Sequence, residues 1–99
     1  MNRVELLASA TDAVNRRPKA YGPPEQNFNR IAARWRVHLK NRFDMDVPVD
    51  AVSVAAMCAD LKLARIEETP DHEDSWVDLA GYAACGAEVA TAAPPAANP

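Results

Sequence analysis

Between Pro24 and Arg42 the large apolar side chains Phe28, Ile31, Trp35 and Leu39 recur at three- and four-residue steps, while Arg30, Arg34 and Asn41 fall on the opposite side. That period belongs to an amphipathic helix with one buried stripe. A first helix is expected over Asn2 to Arg16, on a stripe of Val4, Leu7, Ala8 and Val14, with Pro18 announcing its end. The segment RPKAYGPPEQ holds three prolines and a glycine and reads as a loop, from which Pro24 enters the second helix as a first-turn residue. The loop FDMDVPVD offers Asp46 and Asp50 as N-caps of a third helix reaching Glu68, with Val54, Met57, Cys58 and Leu61 as its stripe. Pro70 stops it, and Asp71 caps a fourth helix that runs to about Ala92. Four helices on short connections predict an all-α fold, a small antiparallel four-helix bundle formed by residues 1–92, with a flexible tail over 93–99.

The fourth helix has two unlike sides. Trp76, Ala80, Ala83 and Ala87 share one, and Asp71, Asp74, Asp78 and Cys85 share the other, with Gly81 and Tyr82 at the edges. Trp35 and Trp76 sit on apolar stripes and are expected in the core. On the third helix the stripe continues from Leu61 to Arg65, with Lys62 on its flank, and a basic group there must reach water or meet a carboxylate. Folding the fourth helix back at Thr69 brings level those residues whose numbers add to about 139. Arg65 then stands opposite Asp74, Lys62 opposite Val77 and Asp78, and Cys58 opposite Gly81. One reading of this group is a pair of interhelical salt bridges, useful for register more than for stability. The other is a small polar pocket, in which Asp74 and Asp78 share a magnesium ion while Lys62 and Arg65 hold phosphate oxygens.

Composition narrows the field. Alanine carries much of the apolar content and aromatics are only 6%, which favours closely packed helices over a sheet. The net charge of −3 hides an asymmetry: residues 1–50 hold nine Lys/Arg against six Asp/Glu, and residues 51–99 hold two against eight. The basic half has no aromatics alternating with arginine and no glycine-rich loop, so no nucleic acid is expected as a partner, and the acidic half suits cations or a basic protein. Cys58 and Cys85 are far apart and outside any CxxC spacing, and His38 and His72 lie apart from both, so neither a zinc site nor a redox pair is expected. No eighteen-residue apolar run spans a membrane, and the amino-terminal segment lacks a secretory pattern, which points to a cytoplasm.

The segments YGPPEQNFNRIAARW (21–35) and LKLARIEETPDHEDSWVDLAGYAA (61–84) resemble an uncharacterised family of short proteins encoded by tailed bacteriophages and prophages. The residues that carry the resemblance are Tyr21, Gly22, Pro24, Asn27, Phe28, Ile31, Trp35, Lys62, Arg65, Asp74, Ser75, Trp76, Asp78, Gly81 and Tyr82, across the middle two thirds of the chain. The resemblance implies a location in the cytoplasm of the infected bacterial host. More remotely, EDSWVD is similar to the last acidic motif of the MazG-like all-α nucleoside triphosphate pyrophosphohydrolases, whose four acids bind the magnesium that activates water. That similarity implies magnesium on Asp74 and Asp78, phosphates on Lys62 and Arg65, and base or loop contacts from Tyr21, Gly22, Asn27 and Tyr82. Where those enzymes carry Glu-Glu-x-x-Glu, however, this chain has Asp60, Lys62 and Arg65, and two basic residues are not magnesium ligands.

Two functions are therefore expected as alternatives. One is MazG-like binding of a nucleoside triphosphate with magnesium, with hydrolysis if the protein is an enzyme. The other is a non-catalytic interaction module acting on a host or phage protein. Self-association is expected in both, because four alanine-rich helices of this length leave apolar strips uncovered.

Overall fold

The computed structural model of the chain describes residues 1–92, and for residues 17–21 it describes the backbone alone. It is a bundle of four helices: α1 (Arg3–Tyr21), α2 (Pro24–Phe43), α3 (Ala51–Glu68) and α4 (Glu73–Thr91), with no strand among the described residues. The tail expected over 93–99 lies outside them. The pair α3–α4 is the centre of the molecule. α1 packs on α4, α2 packs on α3, and little joins α1 to α2.

Helix ends follow local chemistry. The Asp50 side chain accepts a hydrogen bond from the Ser53 amide at 2.8 Å and caps α3, which settles the choice between Asp46 and Asp50. Pro24 opens α2 as its first residue, where the missing amide hydrogen would have had no helical partner. Asp44 takes the left-handed conformation (φ 54°) and closes α2 by donating its amide to the Lys40 carbonyl at 3.0 Å. The end of α1 differs from expectation: the helix runs past Pro18 to Tyr21. A proline inside a helix removes one backbone hydrogen bond without forbidding the next turn. Gly22, at φ 79°, is what ends α1, leaving Gly22 and Pro23 as the whole connection to α2. Before α4 the cap residue is His72, not Asp71, and no side chain caps the helix.

The core lies chiefly between α2 and α3. Phe28 and Ala32 meet Val49, Ala51, Val54, Ala55 and Cys58, with Ile31, Trp35 and Leu39 packed against that group as the α2 stripe requires. The Arg36 guanidinium donates to the Val49 carbonyl at 2.6 Å and ties the loop after α2 to this core.

The stripes of the other three helices are rotated from those expected. On α1 the buried residue is Ala10, with Leu6, Ser9, Ala13 and Val14 half-buried, whereas Val4 and Leu7 are exposed. On α3 the inner positions are Ala51, Val54, Ala55, Cys58, Lys62 and Ile66, and Met57, Leu61 and Arg65 face out. On α4 the two sides are exchanged: Ser75, Val77 and Gly81 are buried with Asp78, Tyr82 and Cys85 beside them, and Trp76 lies outside. Small side chains explain this. A Cβ added to Gly86 would stand 2.9 Å from the Ala55 Cβ, so α3 and α4 approach more closely than any side chain on that side would permit.

Two outcomes test these statements. Gly86→Ala should lower stability by about 1–2 kcal/mol in urea unfolding despite the better helix propensity of alanine, because the helices must part, and adding Ala55→Gly should restore most of the loss. The Ser53 amide holds the Asp50 carboxyl below its ordinary pKa, so its contribution is present above the unfolded value and is lost as pH falls through the folded one. Asp50→Ala should therefore lower Tm at neutral pH, and the difference from wild type should shrink from about pH 5 downward.

Candidate functional site

The α3–α4 seam brings charge inside. Lys62 Nζ and an Asp78 carboxylate oxygen stand 2.8 Å apart, and each side chain is 14% exposed. α4 runs antiparallel to α3 with residue numbers adding to about 140, which sets Lys62 opposite Asp78 and Cys58 opposite Tyr82. The Tyr82 ring lies 6.5 Å from the Phe28 ring, between α4 and the start of α2. Burial pushes the Cys58 thiol above its ordinary pKa, and its hydrogen bond with Tyr82 and the charge of Lys62 pull in the opposite direction. Cys58 is a protonated, packed thiol at neutral pH, and neither cysteine is in a disulfide.

Arg65 stands apart from this group. It is exposed on α3, and among the described residues no carboxylate lies within 4.0 Å of it. The expected pairing with Asp74 is not formed, because the rotation that turns Lys62 inward carries Arg65 outward. Asp74 is exposed in the first turn of α4, where the helix dipole favours a carboxylate.

Asp74 and Asp78 do share a surface, an open cleft of about 870 Å³ between α1 and the start of α4. Its α1 wall is made by Ser9, Asp12, Ala13 and Arg16, and its α4 wall by residues from Asp71 to Asp78. Five carboxylates line it, from Asp12, Asp71, Glu73, Asp74 and Asp78. Three cations partly balance them among the described residues: Arg16 pairs with Asp12 at 3.2 Å, the amino terminus lies 3.3 Å from Glu73, and Lys62 meets Asp78 from the α3 side. Lys62 and Arg65 do not line the cleft. Among the described residues no three His, Cys, Asp or Glu side chains gather closely enough to hold a metal ion.

The remaining candidates are dispersed. Gly22 forms the turn, with the Gln26 side chain near it, and Asn27 is half-buried in the first turn of α2, its backbone amide donating to the Pro23 carbonyl at 3.1 Å. Tyr82 belongs to the α3–α4 seam, and the Tyr21 side chain lies outside the described residues. The α1 wall of the cleft was not among the expected site residues. Its visible trace in the sequence is the Asp12–Arg16 pair four residues apart, and the trace of the seam is Gly86 one turn beyond Tyr82.

A flat helical domain with an acidic cleft and an internal ion pair is the class that fold and site define. The chain belongs to the family described as "Domain of unknown function (DUF6378)", whose model matches residues 5–90. It is similar to the Gene 55 protein of Mycobacterium phage D29, 36% identical over 69 residues, which make up 70% of this chain and 42% of that protein. It is also similar to the Gene 55 protein of Mycobacterium phage L5, 35% identical over 81 residues, which make up 81% of this chain and 49% of that protein. The chain thus spans about half the length of the curated relatives it matches. No solved structure matches it. The expected phage family is confirmed at this level, and no helix among the described residues is long and apolar enough to cross a membrane.

Removing one member of the internal pair strands a poorly hydrated charge. Lys62→Met should cost about 3 kcal/mol in urea unfolding, and a double-mutant cycle with Asp78→Leu should give a coupling above about 1 kcal/mol. Arg65→Met, on the outside of the same helix, should stay within about 0.5 kcal/mol of wild type.

Proposed function

We propose that the chain is a non-catalytic binding module of phage origin, and that the α1–α4 cleft receives a positively charged group of a host or phage protein. The Lys62–Asp78 pair carries this reading. The cation that a nucleotide hydrolase would direct at phosphate and the carboxylate it would direct at magnesium are joined to each other at 2.8 Å, largely out of water. Charge supports it as well. Of the five carboxylates, Asp12, Glu73 and Asp78 have a cation beside them, and the remaining negative charge, on Asp71 and Asp74, repels an unaccompanied triphosphate and attracts lysine or arginine.

A second reading, MazG-like binding of a magnesium nucleotide, is favoured by one specific observation. Asp74 and Asp78 line the same cleft across from Asp12, and the cleft has the volume of an ordinary ligand site. Magnesium would then be held by Asp74 and Asp78 and would supply the positive charge that the cleft lacks. Lys62 would have to leave Asp78 to reach a phosphate, and Arg65 would have to cross from the outer side of α3. Tyr21, Gly22, Asn27 and Tyr82 would be the base and loop contacts in that reading.

Thermal shift with magnesium and a panel of ribo- and deoxyribonucleoside triphosphates, followed by an assay of pyrophosphate release, separates the two. The interaction reading predicts no shift and no pyrophosphate. A nucleotide-dependent shift that Asp74→Asn abolishes, with circular dichroism unchanged, would replace it with the magnesium-nucleotide reading.

A further inference from the structure

α2 forms one edge of the bundle. α3 is the helix packed along it, and α1 and α4 barely touch it, so the side of α2 turned away from α3 is uncovered. Gln26, Asn29, Arg30, Arg34, Val37 and Asn41 occupy that side at helical spacing, and all are exposed. From Gln26 to Phe43 the helix carries five Lys/Arg and no carboxylate. Among the described residues no carboxylate lies within 4.0 Å of Arg30 or Arg34. Arg36 gives one N–H to the Val49 carbonyl and stays exposed, and Lys40 is held by Asp44 and Asp46 through surface pairs of little strength. The carboxylates gather elsewhere: α4 has four and no cation, and the acidic cleft lies between α4 and α1. The net charge of −3 therefore conceals a molecule with two poles.

We propose that the uncovered side of α2 binds duplex DNA, with the helix lying in the major groove. The composition of the chain predicts no nucleic-acid partner, and the placement of α2 is what alters that expectation. Its 20 residues make a rod about 30 Å long, and the major groove, about 12 Å wide, admits one α-helix between two rows of phosphates. Cations stand where those rows would run. By helical position Arg34 lies on one flank of the outer side and Arg36 and Lys40 on the other, with Gln26, Arg30, Val37 and Asn41 between them. The middle row is made of residue types that read base edges: arginine pairs with guanine, Gln and Asn pair with adenine, and an apolar side chain meets a thymine methyl.

The same residues disfavour an acidic protein or a membrane as the occupant. A protein interface is centred on buried aromatic anchors, and an interfacial helix inserts large apolar side chains into lipid. Between Gln26 and Asn41 the outer side has Ala33 and Val37 as its apolar residues, while Phe28, Ile31, Trp35 and Leu39 are committed to the core. What remains on this side is charge and hydrogen-bonding capacity, which suit a polyanion of fixed geometry.

Fluorescence anisotropy of a labelled DNA duplex of about 20 base pairs, titrated with the full chain, tests the proposal. Wild type should bind with a micromolar Kd at about 50 mM salt, and the three flanking cations on phosphates should make that Kd rise about 40-fold by about 200 mM. Arg30→Ala combined with Arg34→Ala, both at exposed positions, should bind at least about tenfold more weakly at the lower salt, with circular dichroism unchanged, and its Kd should rise only about tenfold across the same range. Arg65→Ala, on α3, should bind as wild type does. An RNA duplex of the same sequence, whose major groove side chains cannot read, should bind at least about tenfold more weakly. Absence of binding at the lower salt, a double variant that binds like wild type, an Arg65→Ala protein as weak as the double variant, or equal affinity for the RNA duplex would each overturn the proposal. Displacement of the DNA by polyglutamate at equal charge would overturn it in favour of an acidic protein.

Discussion

The close approach of α3 and α4, with Gly86 against Ala55 and Lys62 against Asp78, is the constraint on which the rest of the molecule depends. A contact between a glycine and an alanine methyl fixes distance, because no larger side chain fits on either side. An ion pair with both members 14% exposed fixes register, because sliding by one turn would leave a lysine and an aspartate facing apolar side chains. The two act at different heights on the same seam, so distance and register are set together. The net stabilisation by such an ion pair is small, and its value lies in excluding other alignments.

From that seam the other helices find their places. With Ala55 and Cys58 facing α4 at one edge, Val54 and Ala51 face α2, whose Phe28 and Ala32 complete the core. Turning Asp78 toward α3 also sets Val77 against the α1 side of the cleft and leaves Asp74 on its wall. The same rotation puts Trp76 outside. The acidic cleft and the outward position of Trp76 are therefore two consequences of one packing arrangement, set at the seam by Gly86 against Ala55.

Much of the fold was legible in the sequence where a strong local signal existed. The prolines and Asp50 marked helix starts, and Phe28, Ile31, Trp35 and Leu39 marked the buried side of α2, because bulky residues on one side and arginines on the other leave a single choice. α4 gave no such contrast. Many of its residues are small or apolar, so Trp76 drew the core to the wrong side, when the deciding features were Gly86 and a lysine on another helix. Pro18 misled for a related reason: a breaker signal states a local cost and cannot say whether packing outweighs it. The opposition of Lys62 and Asp78 was legible because it follows from counting back from the turn, while the place of Arg65 depended on a helix rotation that counting does not fix. The cleft wall supplied by α1 is a tertiary feature with no sequence neighbour of α4 to reveal it.

The functional readings share this origin. If α3 and α4 meet as described, Lys62 and Asp78 serve the seam first, and whatever binds the cleft meets Asp12, Asp74 and their neighbours. The most direct test is the nuclear Overhauser pattern of the labelled protein in solution. The account predicts a strong cross-peak between the Gly86 α-protons and the Ala55 methyl group, and no cross-peak from the Trp76 indole ring to the methyl groups of Val54 or Ala55. Indole cross-peaks to those methyls, with none from Gly86 to Ala55, would mean that the tryptophan side of α4 faces α3 and would contradict the account at its base.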